Sequence, residues 1–152
     1  MGVVGTVVIR TAQLRDHDVV QAVRQRSSLS NEGDREFILA NPDTLEYDPT
    51  PLGEGRTRVA VEGDHIVGFA TTSGDEEVEL EALFVEPSSM RSGVGRALVL
   101  DVVERARAAG IARINVTANS HALAFYDALG FITDGLIATR DRDTPRMHLD
   151  IR

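Results

Sequence analysis

The spacing of apolar positions changes period repeatedly along the chain, and each change predicts a new element. "TVVIRTA" (6–12) is short and β-branched, which predicts a strand. "QLRDHDVVQAVRQRSS" follows with Leu14, Val19, Val20 and Val23 on roughly one helical face, its start near Asp16 or His17. "DREFILA" (34–40) predicts a second, short helix. The stretch 41–55 gathers Pro, Gly, Asp and Thr and is expected to be a loop, long enough to serve a function. From Arg56 the pattern becomes strand-like. "RTRVAVE" and "HIVGFATTS" flank the turn dipeptide "GD", and "VELEALFVEP" is a third run, stopped by Pro87.

Helical spacing returns at 93–110 through Val94, Leu98, Val102 and Ala106, with Gly110 suited to the C-terminal cap. "IARINVTA" (111–118) predicts a strand, and "NSHALAFYDALG" (119–130) a short helix with Gly130 just past its end. "FITDGLIA" and "PRMHLDIR" predict two closing strands joined by the polar link "TRDRDT". The order β-α-α-β-β-β-α-β-α-β-β is neither regular βαβ alternation nor all-β. It predicts an α+β (mixed α/β) fold with a central mixed, mostly antiparallel sheet of about seven strands and about four helices, in one domain over 1–152.

Composition narrows the function classes. The 152-residue chain is 42% hydrophobic and has no apolar run of the roughly 18 residues that a membrane span requires. It contains no cysteine, which excludes disulfides, thiolate metal sites and cysteine nucleophiles and fits a cytoplasmic location. "MGVVGT" fits a myristoylation pattern at Gly2 but runs straight into the first strand and is read as its lead-in. A net charge of −8 argues against nucleic-acid binding. The charge is uneven: residues 62–86 hold eight acidic side chains and no Lys or Arg, whereas 90–113 hold Arg91, Arg96, Arg105, Arg107 and Arg113 against Asp101 and Glu104. That polarity fits a cation near the first stretch and an anion near the second.

The anion-binding candidate is "SSMRSGVGRAL" (88–98), a glycine-containing loop between a predicted strand and a helix start. Free N–H groups and the helix dipole favour negative charge there, Gly93 and Gly95 allow close approach, and Arg91 and Arg96 add charge. A Walker A loop needs Lys and a hydroxyl residue after its second glycine, and 93–100 has neither. A dinucleotide fingerprint fails at Leu98, where the third glycine would stand.

"LFVEPSSMRSGVGRALV" resembles the acetyl-CoA-binding motif of the GNAT superfamily of N-acetyltransferases. "NVTANSHALAFYDALGF" is similar to the family's second signature at Asn119, Ala122, Phe125, Tyr126, Gly130 and Phe131. Met90 departs from the pattern, since the family usually carries Gln or Arg three residues before Gly93. The resemblance covers nearly the whole chain and implies acetyl transfer from acetyl-CoA to a primary amine, of a cationic small molecule or a protein, by direct attack in a ternary complex, with a noncatalytic acetyl-CoA-binding module as the alternative reading. It also implies that Leu83, Phe84 and Val85 line the cofactor through their backbone, and that Met90, Arg91, Ser92, Gly93, Val94, Gly95 and Arg96 hold its pyrophosphate. Asn119 would bind the pantetheine arm, and a dimer through the C-terminal strands is common in the family.

Two features of the residues bear on that chemistry. Asn119 and Tyr126, seven apart, would share one face of a helix, about 10 Å apart along its axis. By resemblance Tyr126 stands at the thioester sulfur, where a phenol of pKa about 10 can protonate a thiolate whose conjugate acid lies near ~8.5. Glu79 and Glu81 lie on one face of a strand with Leu83 and Val85 and are the candidate general bases; Glu79 aligns with a base position in some family members. His17, His65, His121 and His148 have no ligand-like spacing, so no metal is expected.

Overall fold

A computed structural model describes residues 7–45, 48–119, 122–138 and 143–151. Gly2 and Thr6 of the acylation pattern, His121, and Thr139–Arg142 of the polar link lie outside the described residues. Seven strands form one sheet in the order β1-β2-β3-β4-β5-β7-β6. They are β1 (Val7–Thr11), β2 (Thr57–Glu62), β3 (His65–Ser73), β4 (Val78–Val85), β5 (Arg113–Thr117), β6 (Ile132–Ala138) and β7 (Asp143–Asp150). The helices are α1 (His17–Leu29), α2 (Glu32–Ala40), α3 (Thr50–Gly53), α4 (Val94–Ala108) and α5 (Leu123–Ala128). β1–β2, β2–β3, β5–β7 and β6–β7 are antiparallel, and β4–β5 is parallel. Element order and sheet character match the sequence expectation, with α3 added.

The chain forms two compact units, Met1–Thr71 with Ala82–Val99 and Thr72–Glu81 with Leu100–Arg152. In the first, Ala12, Val20, Val23, Leu52, Val59 and Phe69 form a buried cluster flanked by Val61, Ile66, Ala82 and Phe84. The β2–β3 hairpin closes through Gly63, at φ +61°, and Asp64, with Glu62 opposite His65. In this unit Leu14 is 69% exposed and Val19 43%, contrary to the face predicted for them. Leu14 belongs to a 3-10 turn (Leu14–Asp16) that breaks the helical phase, and from His17 onward the inward positions are Val20, Val23 and Ser27. Asp16 fixes that turn: it accepts from Arg10 Nη1 at 2.8 Å and from the Gln13 N–H at 2.8 Å. The Arg10 guanidinium, helped by that N–H, holds the Asp16 carboxyl below the usual carboxylate range.

The expected loop at 41–55 is not plain loop. It contains a 3-10 turn (Pro42–Leu45) and α3, where the Thr50 N–H donates to Asp48 Oδ1 at 2.9 Å and Leu52 is buried in the core. Leu52 therefore gives the segment a structural role as an anchor.

In the second unit strand alternation separates an apolar face from a polar one. Val78 and Leu80, Ile114 and Val116, and Met147 are buried. Glu79, Asn115, His148 and their neighbours two residues away point to the other side of the same strands. Gly110 (φ +76°) ends α4 and lets the Ile111 N–H reach the Ala106 carbonyl at 2.9 Å.

Within the first unit, Gly68 on β3 packs against Val94 and Leu98 near the start of α4. A Cβ there would lie 3.0 Å from the Phe84 carbonyl oxygen, 3.1 Å from Val94 Cγ1 and 3.2 Å from Leu98 Cδ1. Gly68→Ala is expected to cost about 1–3 kcal/mol in urea denaturation, because one of those neighbours is backbone and cannot swing away. A neutral substitution would show that α4 is not seated against this glycine.

Candidate active site

β4 runs between two neighbours that treat it differently. On the β3 side it is held beyond its last residue, where the Glu86 N–H donates to the Val67 carbonyl at 2.8 Å. On the other side the register with β5 covers Val78↔Ile114, Glu79↔Asn115 and Leu80↔Val116 only. After Thr117 the chain stays with β7, the Ala118 N–H donating to the Pro145 carbonyl at 2.9 Å. Among the described residues the β4–β5 register therefore leaves out Glu81–Val85, and Leu83, Phe84 and Val85 are half-buried there. Phe84 is anchored by Phe69 (ring centroids 5.5 Å apart) and by the Arg24 guanidinium 5.8 Å above its ring.

Pro87 starts a 3-10 turn (Pro87–Ser89) that leads into the glycine loop. Arg91 adopts φ +67° and Gly93 φ +89°, two left-handed residues within four positions of the first residue of α4. For Arg91 that conformation costs on the order of 1 kcal/mol, the kind of local strain found where a loop is shaped for a ligand. A Cβ at Gly93 would meet nothing within 4 Å, so glycine answers the dihedral angle, and the space in front of it is open. Ser92 Oγ donates to the Ser89 carbonyl and ties the loop to the preceding turn. Val94 is buried against Gly68, while Gly95 and Arg96 lie in the first helical turn, where N–H groups have no intrahelical acceptor. Met90 is extended (φ −64°, ψ 147°) and exposed, so the loop takes its shape from Arg91 and Gly93. Glu86, just before the loop, is gripped by Arg26 of α1 through Nε at 2.5 Å and Nη2 at 2.8 Å.

Tyr126 is buried on α5, edge-on to Phe125 and Phe131 at centroid distances of 5.0 and 5.3 Å. Burial pushes its hydroxyl above the ordinary phenol value, so it carries its proton at neutral pH and is a donor. Asn119 is exposed and is not on α5, which begins at Leu123. Its carbonyl closes a turn by accepting the Ala122 N–H at 2.9 Å, so the seven-residue spacing does not place Asn119 and Tyr126 on one helical face. Asparagine favours such turns over helix interiors.

Glu79 and Glu81 share a face of β4 as expected, but their settings differ. Both Glu79 oxygens accept from Arg146 of β7 at 2.6 Å. Each Glu79 oxygen keeps one lone pair beyond its bond to Arg146, and Glu81 is exposed. Arg146 Nη1 also donates to Thr117 Oγ1 at 3.1 Å. The same face carries Asn115 bonded to Glu77 Oε1 at 2.8 Å, Arg113 to Asp150 at 3.0 Å and His148 Nδ1 to Asp134 at 2.7 Å. Arg24, Arg26, Thr117 and Arg146 were not singled out in the sequence, because only strand register or tertiary packing brings them to their partners. Among the described residues no three His, Asp or Glu side chains gather as a metal site, and no helix is long and apolar enough to cross a membrane.

The family model for the acetyltransferase (GNAT) domain matches residues 23–142. A glucosamine 6-phosphate N-acetyltransferase of Trypanosoma brucei brucei is 33% identical over 61 residues, 40% of this chain and 42% of that protein, so the match spans less than half of the relative's length. A GCN5-related N-acetyltransferase from Rhodopseudomonas palustris superposes with a TM-score of 0.77 over 99% of both chains at 20% identity. PaiA N-acetyltransferase from Thermoplasma acidophilum, crystallised with coenzyme A, superposes with a TM-score of 0.74 over 95% of this chain and 99% of its own, at 17% identity. At these identities the structural likenesses speak for the fold.

A phenol whose pKa is raised on folding contributes stability that is whole below its unfolded value of about 10 and is lost as the pH climbs further, since only the unfolded chain ionises there. Tyr126→Phe is expected to flatten the fall of stability between about pH 10 and 11.5 in urea denaturation. An unchanged slope would mean that the hydroxyl is solvated in the native protein.

Proposed function

The chain belongs to the GNAT acetyltransferase family and is an acyltransferase, and from that premise we propose that it moves acetyl from acetyl-CoA to a primary amine by direct attack. The observation that carries this reading is the end of the β4–β5 register at Leu80, ahead of a loop with two left-handed residues. An extended amide-bearing chain can add to the bare edge at Leu83, Phe84 and Val85 as a strand would, and a pyrophosphate can meet the N–H groups from Arg91 to Arg96. Arg91 and Arg96 add charge, and Ser92, Val94 and Gly95 contribute through their backbone. Met90 is compatible with this because its side chain does not shape the loop. Asn119, exposed before α5, is assigned to the pantetheine arm.

In the reaction the amine nitrogen bonds to the acetyl carbon as the carbon–sulfur bond breaks. The amine arrives as an ammonium and must lose a proton to attack. Glu79 and Glu81, on one face of β4, are assigned as the candidate bases, acting directly or through water. A backbone N–H on the free edge of β4 is available to the carbonyl oxygen as charge develops on it. The departing thiolate takes a proton from Tyr126, whose burial keeps it protonated, and solvent restores that proton.

Tyr126→Phe tests the assignment. Thiol release at saturating acetyl-CoA is expected to fall by about 10²-fold in kcat or more, with KM for acetyl-CoA changing less than about threefold. A kcat within about twofold of the wild-type value would remove Tyr126 as the acid.

A further inference from the structure

Arg146 offers a hydrogen-bonding edge that the mechanism above leaves unused. A planar guanidinium has five N–H donors: an end fork from Nη1 and Nη2, a side fork from Nε and Nη2, and one further N–H on Nη1. Glu79 fills the end fork at 2.6 Å on both bonds. Thr117 Oγ1 takes the further Nη1 hydrogen at 3.1 Å. The side fork has no partner among the described residues, and the side chain is neither buried nor fully exposed. Three bonds to two strands hold the plane of the group, so its unused fork is oriented before any ligand arrives. Bidentate pairing with a carboxylate or phosphoryl group is what such a fork fits best.

The surroundings limit which ligand can use it. Asp134 and Glu77 act on Arg146 through space in addition to Glu79, and Glu81 and Asp150 stand on the same face of their strands. A ligand that is only anionic would be repelled by this field. One that also carries an ammonium would be drawn to it. We propose that Arg146 is a specificity-determining residue that selects primary amines also bearing an oxyanion, carboxylate or phosphoryl, and binds that oxyanion through its Nε and Nη2 hydrogens. Glu79 is then a positioning residue that aims the guanidinium. This inference rests on the acetyltransferase reading, since it supplies the acceptor for that reaction.

The test is thiol release at saturating acetyl-CoA with matched pairs of amines: leucine against isopentylamine for the carboxylate, and glucosamine 6-phosphate against glucosamine for the phosphoryl group. In the wild-type enzyme the oxyanion-bearing member of at least one pair is expected to have the higher kcat/KM by about tenfold or more. Arg146→Lys keeps the charge and removes the fork. It should raise KM for that member by about tenfold, with kcat changing less than threefold, and should shrink the ratio within the pair. Thr117→Val frees one bond of the guanidinium and should raise the same KM by a smaller factor, giving a second reading should Arg146→Lys fail to fold. Equal use of both members of each pair, or turnover of neither oxyanion-bearing amine by an enzyme that binds acetyl-CoA, would overturn the proposal. A protein that does not bind acetyl-CoA at all would instead overturn the acetyltransferase reading beneath it.

Discussion

The parallel ladder between β4 and β5 is three residue pairs long, and the candidate site depends on where it stops. β5 pairs with β4 no further than Val116, while its other edge stays on β7 as far as the Ala118 N–H bond to the Pro145 carbonyl. β4 does not fray in response, since β3 still holds it at Glu86. The outcome is an ordered strand with one bare edge, whose amides and carbonyls need partners that the described part of the sheet does not supply. The amide-bearing arm of acetyl-CoA, proposed to run along that edge, would meet the need as a neighbouring strand does.

The elements around the edge are arranged to keep it in place. Gly68 lets Val94 and Leu98 of α4 come down onto β3, which fixes the first turn of the helix and with it the N–H groups that follow the glycine loop. Arg24 and Arg26 tie α1 to Phe84 and Glu86 at the far end of β4. In the other unit Arg146 joins β4 to β7 across Thr117 of β5, at the level where the register ends. Each of these ties fixes a group on β4, α4 or β7 within its own unit.

Much of this could be read from the sequence, for identifiable reasons. The element order was legible because each strand and helix carries its own period, and the turns at Gly63 and Gly110 need the positive φ that glycine supplies. The glycine loop was legible from local spacing. Leu14 and Val19 misled because a 3-10 turn, invisible to a 3.6-residue period, shifts the phase before α1. Asn119 misled because a helical spacing was extended across a turn. The Glu79–Arg146 pair spans 67 residues and the Arg26–Glu86 pair 60, distances over which a single sequence carries no pairing signal. Glu79 is legible as a candidate base from its place on the strand, but its partner is not.

The glycine loop and the bare edge of β4 are proposed to hold two parts of one ligand, and isothermal titration with acetyl-CoA and with S-acetylpantetheine, which lacks the nucleotide and pyrophosphate, tests this most directly. Acetyl-CoA is expected to bind about 10²-fold more tightly or better, because only it can reach the N–H groups and arginines of residues 91–96. Equal affinity for the two, or no binding of acetyl-CoA, would contradict the assignment of that loop to pyrophosphate.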